Sequence, residues 1–301
     1  MTALGRLPDL LEVSRKHYDS CIEVVEHDLS ITGVDATLRF HHVRFDTNGE
    51  PKFIDLANCL ADYIVEYCLS AKRRGDEQSG FERTRLARIA RQSLRRSERA
   101  GEAGEILLYF LLEAVLGAPQ IVAKVDLKTA RKTETHGSDG IHIRWDSESE
   151  CMDVFFGEAK LEKTPSAALR RAFRSIDSFH SESMRDFEFG LVTSHFKWLD
   201  EELKSLVLSF MDRQQGPSDC RVNHACLIGY DWQEYLRLQG VNRAQVHVEF
   251  RTRYLRDLPR LCALIQKRFD DFKLKRLLFQ VFFLPFNSVQ SFRDAFNAAL
   301  T

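Results

Sequence analysis

The sequence predicts an α/β fold in which helices cover a β-sheet. Residues 106–112 are apolar on nearly every side, which is typical of a helix that is buried all round. Three short apolar runs with strand character follow this helix, and a basic helix and a further apolar strand come after them. Helices that alternate with strands in this way are typical of α/β proteins.

The elements before residue 101 carry weaker signals. Residues 38–45 alternate between apolar and polar side chains and predict a half-buried strand, whereas the apolar positions of 53–69 recur at helical spacing. The charged, glycine-containing stretch 72–80 interrupts this pattern. We therefore predict an N-terminal α+β region at 1–80 and a second domain at 81–301.

The second part of the chain begins with a long helical stretch near Phe81. Gly101 and Gly104 either divide this stretch into two helices or allow another backbone to approach closely. The polar residues 146–150 predict a hairpin turn between two of the strands. The remaining predicted elements are strands at 121–127, 140–145, 152–158, 189–193, 225–230, 246–250 and 277–284, and helices at 166–179, 198–211, 258–272 and from 288 onward.

The composition is that of an ordinary folded protein and excludes some classes of function. The chain has 301 residues, 44% of them hydrophobic, and a formal net charge of −1, so a nucleic-acid partner would have to meet a local basic patch. Seven cysteines without a CxxC pair or a signal-like leader favour reduced thiols and a cytoplasmic location. No apolar stretch is long enough for a membrane span.

The strongest chemical signal comes from segments 138–140 (Ser-Asp-Gly) and 157–160 (Gly-Glu-Ala-Lys), one before a predicted strand and one ending the next. Glu158 and Lys160 lie two positions apart, so a strand places both side chains on one face. Together with Asp139 they form a two-carboxylate site that suits Mg²⁺, beside a lysine that can orient or deprotonate water. This pattern indicates phosphodiester hydrolysis, with these three residues as the catalytic core.

Other residues are candidates for the same site. Glu105, near the start of the preceding helix, would supply a third carboxylate for catalysis and metal binding, and Glu102 on the same helical face is its substitute. His136 would contact phosphate or water, or it is simply a loop histidine. Oxygen ligands favour Mg²⁺ or Mn²⁺ over zinc.

Each motif also has a plain structural interpretation. An Asp-Gly turn and a Glu-x-Lys strand end are each common on solvated surfaces, so their value here lies in their order and in the helix that precedes them. Other chemistries lack their motifs: the chain has no Gly-x-Ser-x-Gly elbow and no glycine-rich phosphate loop. The pair His41-His42 lies in a strand pattern without further ligands nearby.

Two clusters of arginines are candidates for binding DNA or a partner. A run of charges is usually a solvated helix face, but arginines at helical spacing can also neutralise DNA phosphates without reading the base sequence. An acidic partner protein would fit the same surface. The arginines are Arg88, Arg91, Arg95 and Arg99 on the first helix, and Arg170, Arg171 and Arg174 on the later one.

The order of helix, three strands, helix and strand is that of the restriction-endonuclease-like, or PD-(D/E)xK, core. We predict this core with an additional N-terminal α+β region and C-terminal helices. The sequence also resembles the HamA family and the AbpA-like proteins in segments 101–105 (Gly-Glu-Ala-Gly-Glu), 137–142 (Gly-Ser-Asp-Gly-Ile-His) and 156–160 (Phe-Gly-Glu-Ala-Lys). The resemblance continues into the tail at 283–286 (Phe-Leu-Pro-Phe).

The resemblance implies a function. HamA proteins are similar to PD-(D/E)xK nucleases and are the nuclease subunits of Hachiman anti-phage systems, where they work beside a superfamily 2 helicase. It therefore implies a Mg²⁺-dependent deoxyribonuclease that acts as a defence effector, with Asp139, Glu158 and Lys160 as its catalytic core and Glu105 as the helix carboxylate. Ser138 stands where the name of the motif has Pro. The chain has no helicase motif, so the helicase would be a second protein.

Two alternatives stay open. The chain could be a non-catalytic DNA- or helicase-binding subunit on the same fold, or a nuclease for RNA or repair intermediates. The presence of Asp139, Glu158 and Lys160 favours catalysis, since a site that no longer catalyses a reaction does not need to keep its charged residues. Residues 1–80 carry no chemical signature, and we expect them to pack on the core or to contact the partner.

Overall fold

A computed structural model describes residues 3–75, 79–95, 101–126, 138–181, 190, 192, 194–198, 200–211 and 220–301. Among these residues no helix is long and apolar enough to cross a membrane. In chain order the elements are a 3₁₀ helix (Ala3–Leu10), α1 (Arg15–Cys21), β1 (Ile22–Ile31), β2 (Val34–Val43), α2 (Phe53–Asp62), α3 (Ile64–Cys68), α4 (Ala71–Arg74), α5 (Gly80–Arg95), α6 (Glu102–Leu116), β3 (Ile141–Asp146), β4 (Cys151–Glu162), α7 (Pro165–Ser181), α8 (Glu201–Met211), β5 (Cys220–Asp231), α9 (Glu234–Arg237), α10 (Val246–Asp270), β6 (Leu278–Phe286) and α11 (Val289–Ala299).

The strands form one six-stranded mixed sheet in the order β1-β2-β6-β5-β4-β3. The central strands β2, β6, β5 and β4 run parallel, whereas the outer pairs β1–β2 and β3–β4 are antiparallel. The α/β class predicted from the sequence is therefore confirmed. The first strands of the chain share this sheet with the later ones, and the division into domains at residue 80 stays a prediction.

Helices cover the sheet, and two of them set the environment of β4. Helix α6 packs against β4 and β5, where a Cβ on Gly104 would come within 3.1 Å of the Leu161 Cγ atom. A larger residue at this position would require the Leu161 side chain to shift, so the glycine suits this close approach of helix and strand. Helix α7 lies against the same two strands and buries Leu169, Phe173 and Ile176.

The predicted hairpin is confirmed, and its second strand is longer than expected. The Asp146 Oδ1 atom accepts a hydrogen bond from the backbone N–H of Glu148 at 3.1 Å, and Glu150 takes a positive φ of 49°. Strand β4 continues to Glu162 instead of ending at Glu158. Lys160 therefore lies within the strand.

The predicted strand at 121–127 is wrong for the part that the structure describes. Residues 124–126 form a helical turn, and only isolated bridges join Gln120 to His142 and Val122 to Phe196. The backbone of Ile121 does pair with its neighbours on both sides, but for too few residues to make a strand. Local apolar character cannot reveal how far such pairing extends.

Two further strand predictions are wrong because short alternation resembled a strand. Residues 246–250 begin the long helix α10, whose buried Val246, Phe250, Tyr254 and Leu258 recur at a spacing of four. In the predicted strand at 189–193, the described residues Gly190 and Val192 are helical.

Pro285 does not end the last strand as predicted, since β6 continues to Phe286. Strand β2 pairs with β6 only as far as Phe283, whereas Pro285 lies opposite Tyr230 of β5. Beyond Phe283 one side of β6 is therefore an edge, where a residue without a backbone N–H breaks no ladder.

Candidate functional site

Backbone hydrogen bonds hold Asp139 against strand β4. The Asp139 N–H donates to the Gly157 carbonyl at 2.7 Å, and the Gly157 N–H donates to the Gly140 carbonyl at 2.9 Å. The side chain takes part as well, because the Asp139 Oδ2 atom accepts from the Ala159 N–H at 2.8 Å. The two motifs found in the sequence are thus adjacent in space.

Glu158 and Lys160 lie on one face of β4, as their spacing predicts, and form an ion pair with each other. Glu158 is only 6% exposed and lines a narrow cavity together with Ser175 of α7. The Lys160 Nζ atom also donates to the Ala159 carbonyl at 3.3 Å. Strand β4 carries the second carboxylate, and helix α7 packs against this strand.

Glu105, in the first turn of α6, supplies the third carboxylate. It forms an ion pair with Lys124, and its Oε2 atom accepts a hydrogen bond from the Tyr67 hydroxyl at 3.2 Å. Lys124, which is 5% exposed, was not predicted from the sequence as part of the site. A lysine inside an otherwise apolar run was the available signal, because a buried ammonium needs a partner. Glu102 lies one turn earlier, at the start of α6.

The electrostatics show that these groups act on one another. Burial and the neighbouring Glu105 raise the pKa of Asp139. Burial and Asp139 raise the pKa of Glu158 to about 8. Burial opposes the charge of Lys160, but Glu158 and Asp139 more than offset this and raise its pKa to about 12. Asp139 and Glu158 therefore resist ionisation, and Glu105 adds to the repulsion at Asp139.

This donor set fits a hard divalent cation. Mg²⁺ and Mn²⁺ prefer carboxylate oxygens, and a 2+ charge would relieve the repulsion that raises the pKa values of Asp139 and Glu158. Asp139 and Glu158, with Glu105, stay the predicted ligands of such an ion.

A narrow cavity beside Glu158 contains a histidine that the sequence did not single out for this site. Its lining includes Ser138, Glu158, Ser175 and His224. The Nε2 atom of His224 lies 2.8 Å from the Nε2 atom of His180, and burial lowers the pKa of His224 to about 3. A neutral His224 therefore adds no charge to this side of the site.

The arginines predicted on the later helix are exposed on α7. Arg170 and Arg174 line a shallow groove with Arg268, whereas Arg171 forms an ion pair with Glu162. The same helix carries Ser175, which contacts Glu158, so its basic surface begins close to the carboxylates.

The other predicted arginines are only partly described. Arg88 is exposed and Arg91 is half-buried on α5. The Arg95 side chain, Arg99 and His136 lie outside the described residues.

Comparison with known families identifies the chain. The sequence model of the HamA family matches residues 17–300, which is nearly the full length. No protein of curated function matches the chain. The matched region contains Glu105, Asp139, Glu158 and Lys160, the residues that the fold brings together. The chain therefore belongs to the HamA family, the family of Hachiman antiviral defence proteins.

Proposed function

We propose that this HamA protein is a metal-dependent nuclease that hydrolyses phosphodiester bonds in DNA as the effector of a defence complex with a helicase. One observation carries the proposal: beside the Lys160 amine, Glu105 raises the pKa of the buried Asp139, and Asp139 raises the pKa of the buried Glu158. Buried acids that repel each other in this way are typical of functional sites.

The residues divide the work between metal binding and charge stabilisation. Asp139 and Glu158 would hold Mg²⁺ or Mn²⁺, with Glu105 completing the ligand set. Such an ion supplies Lewis-acid activation of the phosphate and of an attacking water. The Asp139 carboxylate is oriented for this task by the Ala159 N–H.

The properties of Lys160 favour one of the two roles that the sequence left open. With a pKa raised to about 12, Lys160 stays protonated at neutral pH. An ammonium orients water and stabilises the negative charge of a pentacovalent transition state, whereas it cannot accept a proton. We therefore assign Lys160 to orientation and charge stabilisation rather than to general-base catalysis.

The exposed face of α7 is the proposed path for the DNA backbone. Arg170 and Arg174 point away from the buried side of the helix that contacts Glu158. Arginines on this path would contact phosphates, which carry no base information, so we expect no sequence specificity. The net charge of −1 supports weak binding of free DNA and delivery by the helicase partner.

Plasmid cleavage by the purified protein tests the proposal. The wild type is compared with Glu158→Gln and Lys160→Ala in Mg²⁺ and in EDTA, with and without the helicase. Glu162→Gln is the matched control, because Glu162 lies on the same strand and pairs with the exposed residue Arg171. We expect metal-dependent cleavage that both site substitutions abolish and the control keeps.

One observation favours a second candidate function, a non-catalytic DNA- or helicase-binding subunit. Lys160 pairs with Glu158 and Lys124 pairs with Glu105, so two of the three carboxylates are neutralised within the chain. This candidate predicts no cleavage under any of these conditions, with DNA or helicase still bound. The same plasmid experiment therefore separates the two functions.

A further inference from the structure

A second cluster of ionisable side chains lies at the other end of the sheet. Ligand atoms of Glu23 on β1, His42 on β2 and His247 on α10 all lie within 4.8 Å of one another. The sequence predicted no further ligand near the His41-His42 pair, and this was wrong. Glu23 and His247 are distant in sequence, so only the fold brings them to His42.

The fold preorganises this cluster. Glu23 is the cross-strand partner of His42 in the β1–β2 ladder, and directly opposed residues project their side chains to the same face. Helix α10 packs on β1 and places the His247 ring 5.6 Å from the His42 ring, measured between centroids. Two strands and one helix therefore fix the three backbone positions.

His42 is held in the state that a metal ligand requires. Its ring is fully buried, and its Nδ1 atom lies 2.8 Å from the Val43 carbonyl. A carbonyl only accepts hydrogen bonds, so Nδ1 carries the proton and Nε2 carries a lone pair. Within the described part of the chain this Nε2 atom is buried without a hydrogen-bond partner. A histidine whose other nitrogen is fixed by a carbonyl is the usual arrangement around bound metals.

The side chains of Glu23 and His247 complete the set of ligand atoms and leave His42 accessible to an ion from solvent. The Nε2 atom of His247 lies 3.1 Å from the Oε1 atom of Glu23, and Arg44 binds the other carboxylate oxygen at 3.1 Å. Two ligand atoms of a tetrahedral zinc ion are about 3.3 Å apart. The His247 and Glu23 side chains are 45% and 25% exposed, so an ion can reach the buried nitrogen from their side.

We propose that Glu23, His42 and His247 bind one divalent transition-metal ion, with Zn²⁺ as the ion that this set fits best. Two imidazoles and one carboxylate favour Zn²⁺ over Mg²⁺, which distinguishes this site from the carboxylate cluster formed by Glu105, Asp139 and Glu158. Three protein ligands leave a fourth position for water. The bound ion links α10 to β1 and β2 and stabilises this edge of the sheet.

Metal titration of the full-length protein tests the site. All proteins carry Glu158→Gln, so that the carboxylate cluster contributes little binding. Co²⁺ is followed by its visible absorption, and Zn²⁺ by competition with a chromogenic chelator. His247→Ala is the main variant, because His247 is partly exposed and its removal does not threaten the core. His27→Ala is the matched control, since His27 also lies at this edge and is 37% exposed.

We expect one equivalent of metal, a tetrahedral Co²⁺ spectrum and a Zn²⁺-dependent rise in melting temperature. His247→Ala and Glu23→Gln should each weaken Zn²⁺ binding at least about tenfold and abolish the thermal shift, whereas His27→Ala should change neither. Equal affinity and an equal spectrum in His247→Ala and the parent protein would overturn the site. Absence of stoichiometric binding in the folded parent protein would overturn it as well.

Discussion

Two groups of buried carboxylates in this protein, one around Glu113 and one around Asp139 and Glu158, differ in what their oxygens contact. Glu113, 2% exposed, accepts backbone hydrogen bonds from Glu12 at 2.7 Å, Val13 at 2.9 Å and Gln120 at 3.2 Å. The fully buried Lys197 donates to the Gln120 side chain at 3.1 Å and favours the charge of Glu113. This first group ties the N-terminal segment to the end of α6.

The second group is the carboxylate cluster, in which acids face one another. Burial and Glu105 raise the pKa of Asp139, and burial and Asp139 raise that of Glu158. A buried charge that is fully hydrogen-bonded stabilises a local conformation, whereas crowded like charges cost stability unless a cation joins them. Crowding of like charges, and not burial by itself, therefore distinguishes the proposed site from the group around Glu113.

Glu158→Gln should separate function from stability most strongly. We expect the cleavage rate to fall at least about a thousandfold, because a metal ligand is lost. The free energy of unfolding should stay the same or increase, because the substitution removes one of the repelling carboxylates. Cleavage rates and urea unfolding measure the two effects. A variant that keeps wild-type cleavage would contradict the assignment of Glu158.

Glu113→Ala should show the opposite behaviour. Three backbone N–H groups lose their acceptor, so we expect a loss of about 3–5 kcal/mol in the free energy of unfolding. Cleavage per folded molecule should not change. Glu113→Gln keeps one acceptor oxygen, so its free energy of unfolding in urea should lie between those of the wild type and Glu113→Ala. If Glu113→Ala unfolds like the wild type, the structural role of Glu113 is wrong.

The pH dependence of stability should differ between wild type and Glu158→Gln. The pKa of Glu158 is raised to about 8 from an ordinary value of 4.5, so the fold favours its neutral form. The neutral Glu158 side chain therefore contributes to the free energy of unfolding. This contribution is complete below the ordinary pKa, is lost as the pH rises towards 8, and stays lost above it.

Between pH 5 and 8 the free energy of unfolding of the metal-free wild type should therefore fall by on the order of 2 kcal/mol more than that of Glu158→Gln. Mg²⁺ should restore this stability at pH 8 in the wild type only. Urea unfolding at several pH values measures both effects. Parallel pH profiles for the two proteins would show that Glu158 is ionised throughout and is not crowded.

The smallest effects should come from the basic face of α7. Arg170→Ala and Arg174→Ala should each weaken DNA binding a few-fold. Each should also reduce the slope of log affinity against log salt concentration by about one, the amount expected for one lost phosphate contact. Binding is measured at several salt concentrations on Glu158→Gln protein, which does not cleave the probe. Arg237→Ala is the control, because Arg237 is equally exposed and pairs with Glu234. An unchanged salt slope would exclude α7 from the DNA path.

The sequence predicted those parts of the site that depend on local spacing. The period of a strand places Glu158 and Lys160 on one face, and the order of the motifs brings Asp139 beside them. Lys124 was missed because its segment forms a short turn without a regular period. His247 was missed as a neighbour of His42, since nothing local relates a helix near the C-terminus to a strand near the N-terminus.

The fold shows the same limit. Strand β2 pairs in parallel with β6, so that Leu38 lies opposite Val281, and no pattern near either residue encodes this contact. Five residues of alternation at 246–250 were also too few to distinguish a strand from the first turn of α10. Local periodicity therefore predicts elements and faces, whereas pairing between distant segments depends on packing of the whole chain.

Locating Mn²⁺ by its anomalous scattering in crystals of the protein is the most direct test of the central claim. We predict a peak between the carboxylates of Asp139 and Glu158 and none beside Glu113. An ion at Asp139 and Glu158 would confirm that the crowded carboxylates form a metal site. A cluster that stays free of Mn²⁺ in crystals of cleavage-competent protein, with Lys160 still paired to Glu158, would contradict it.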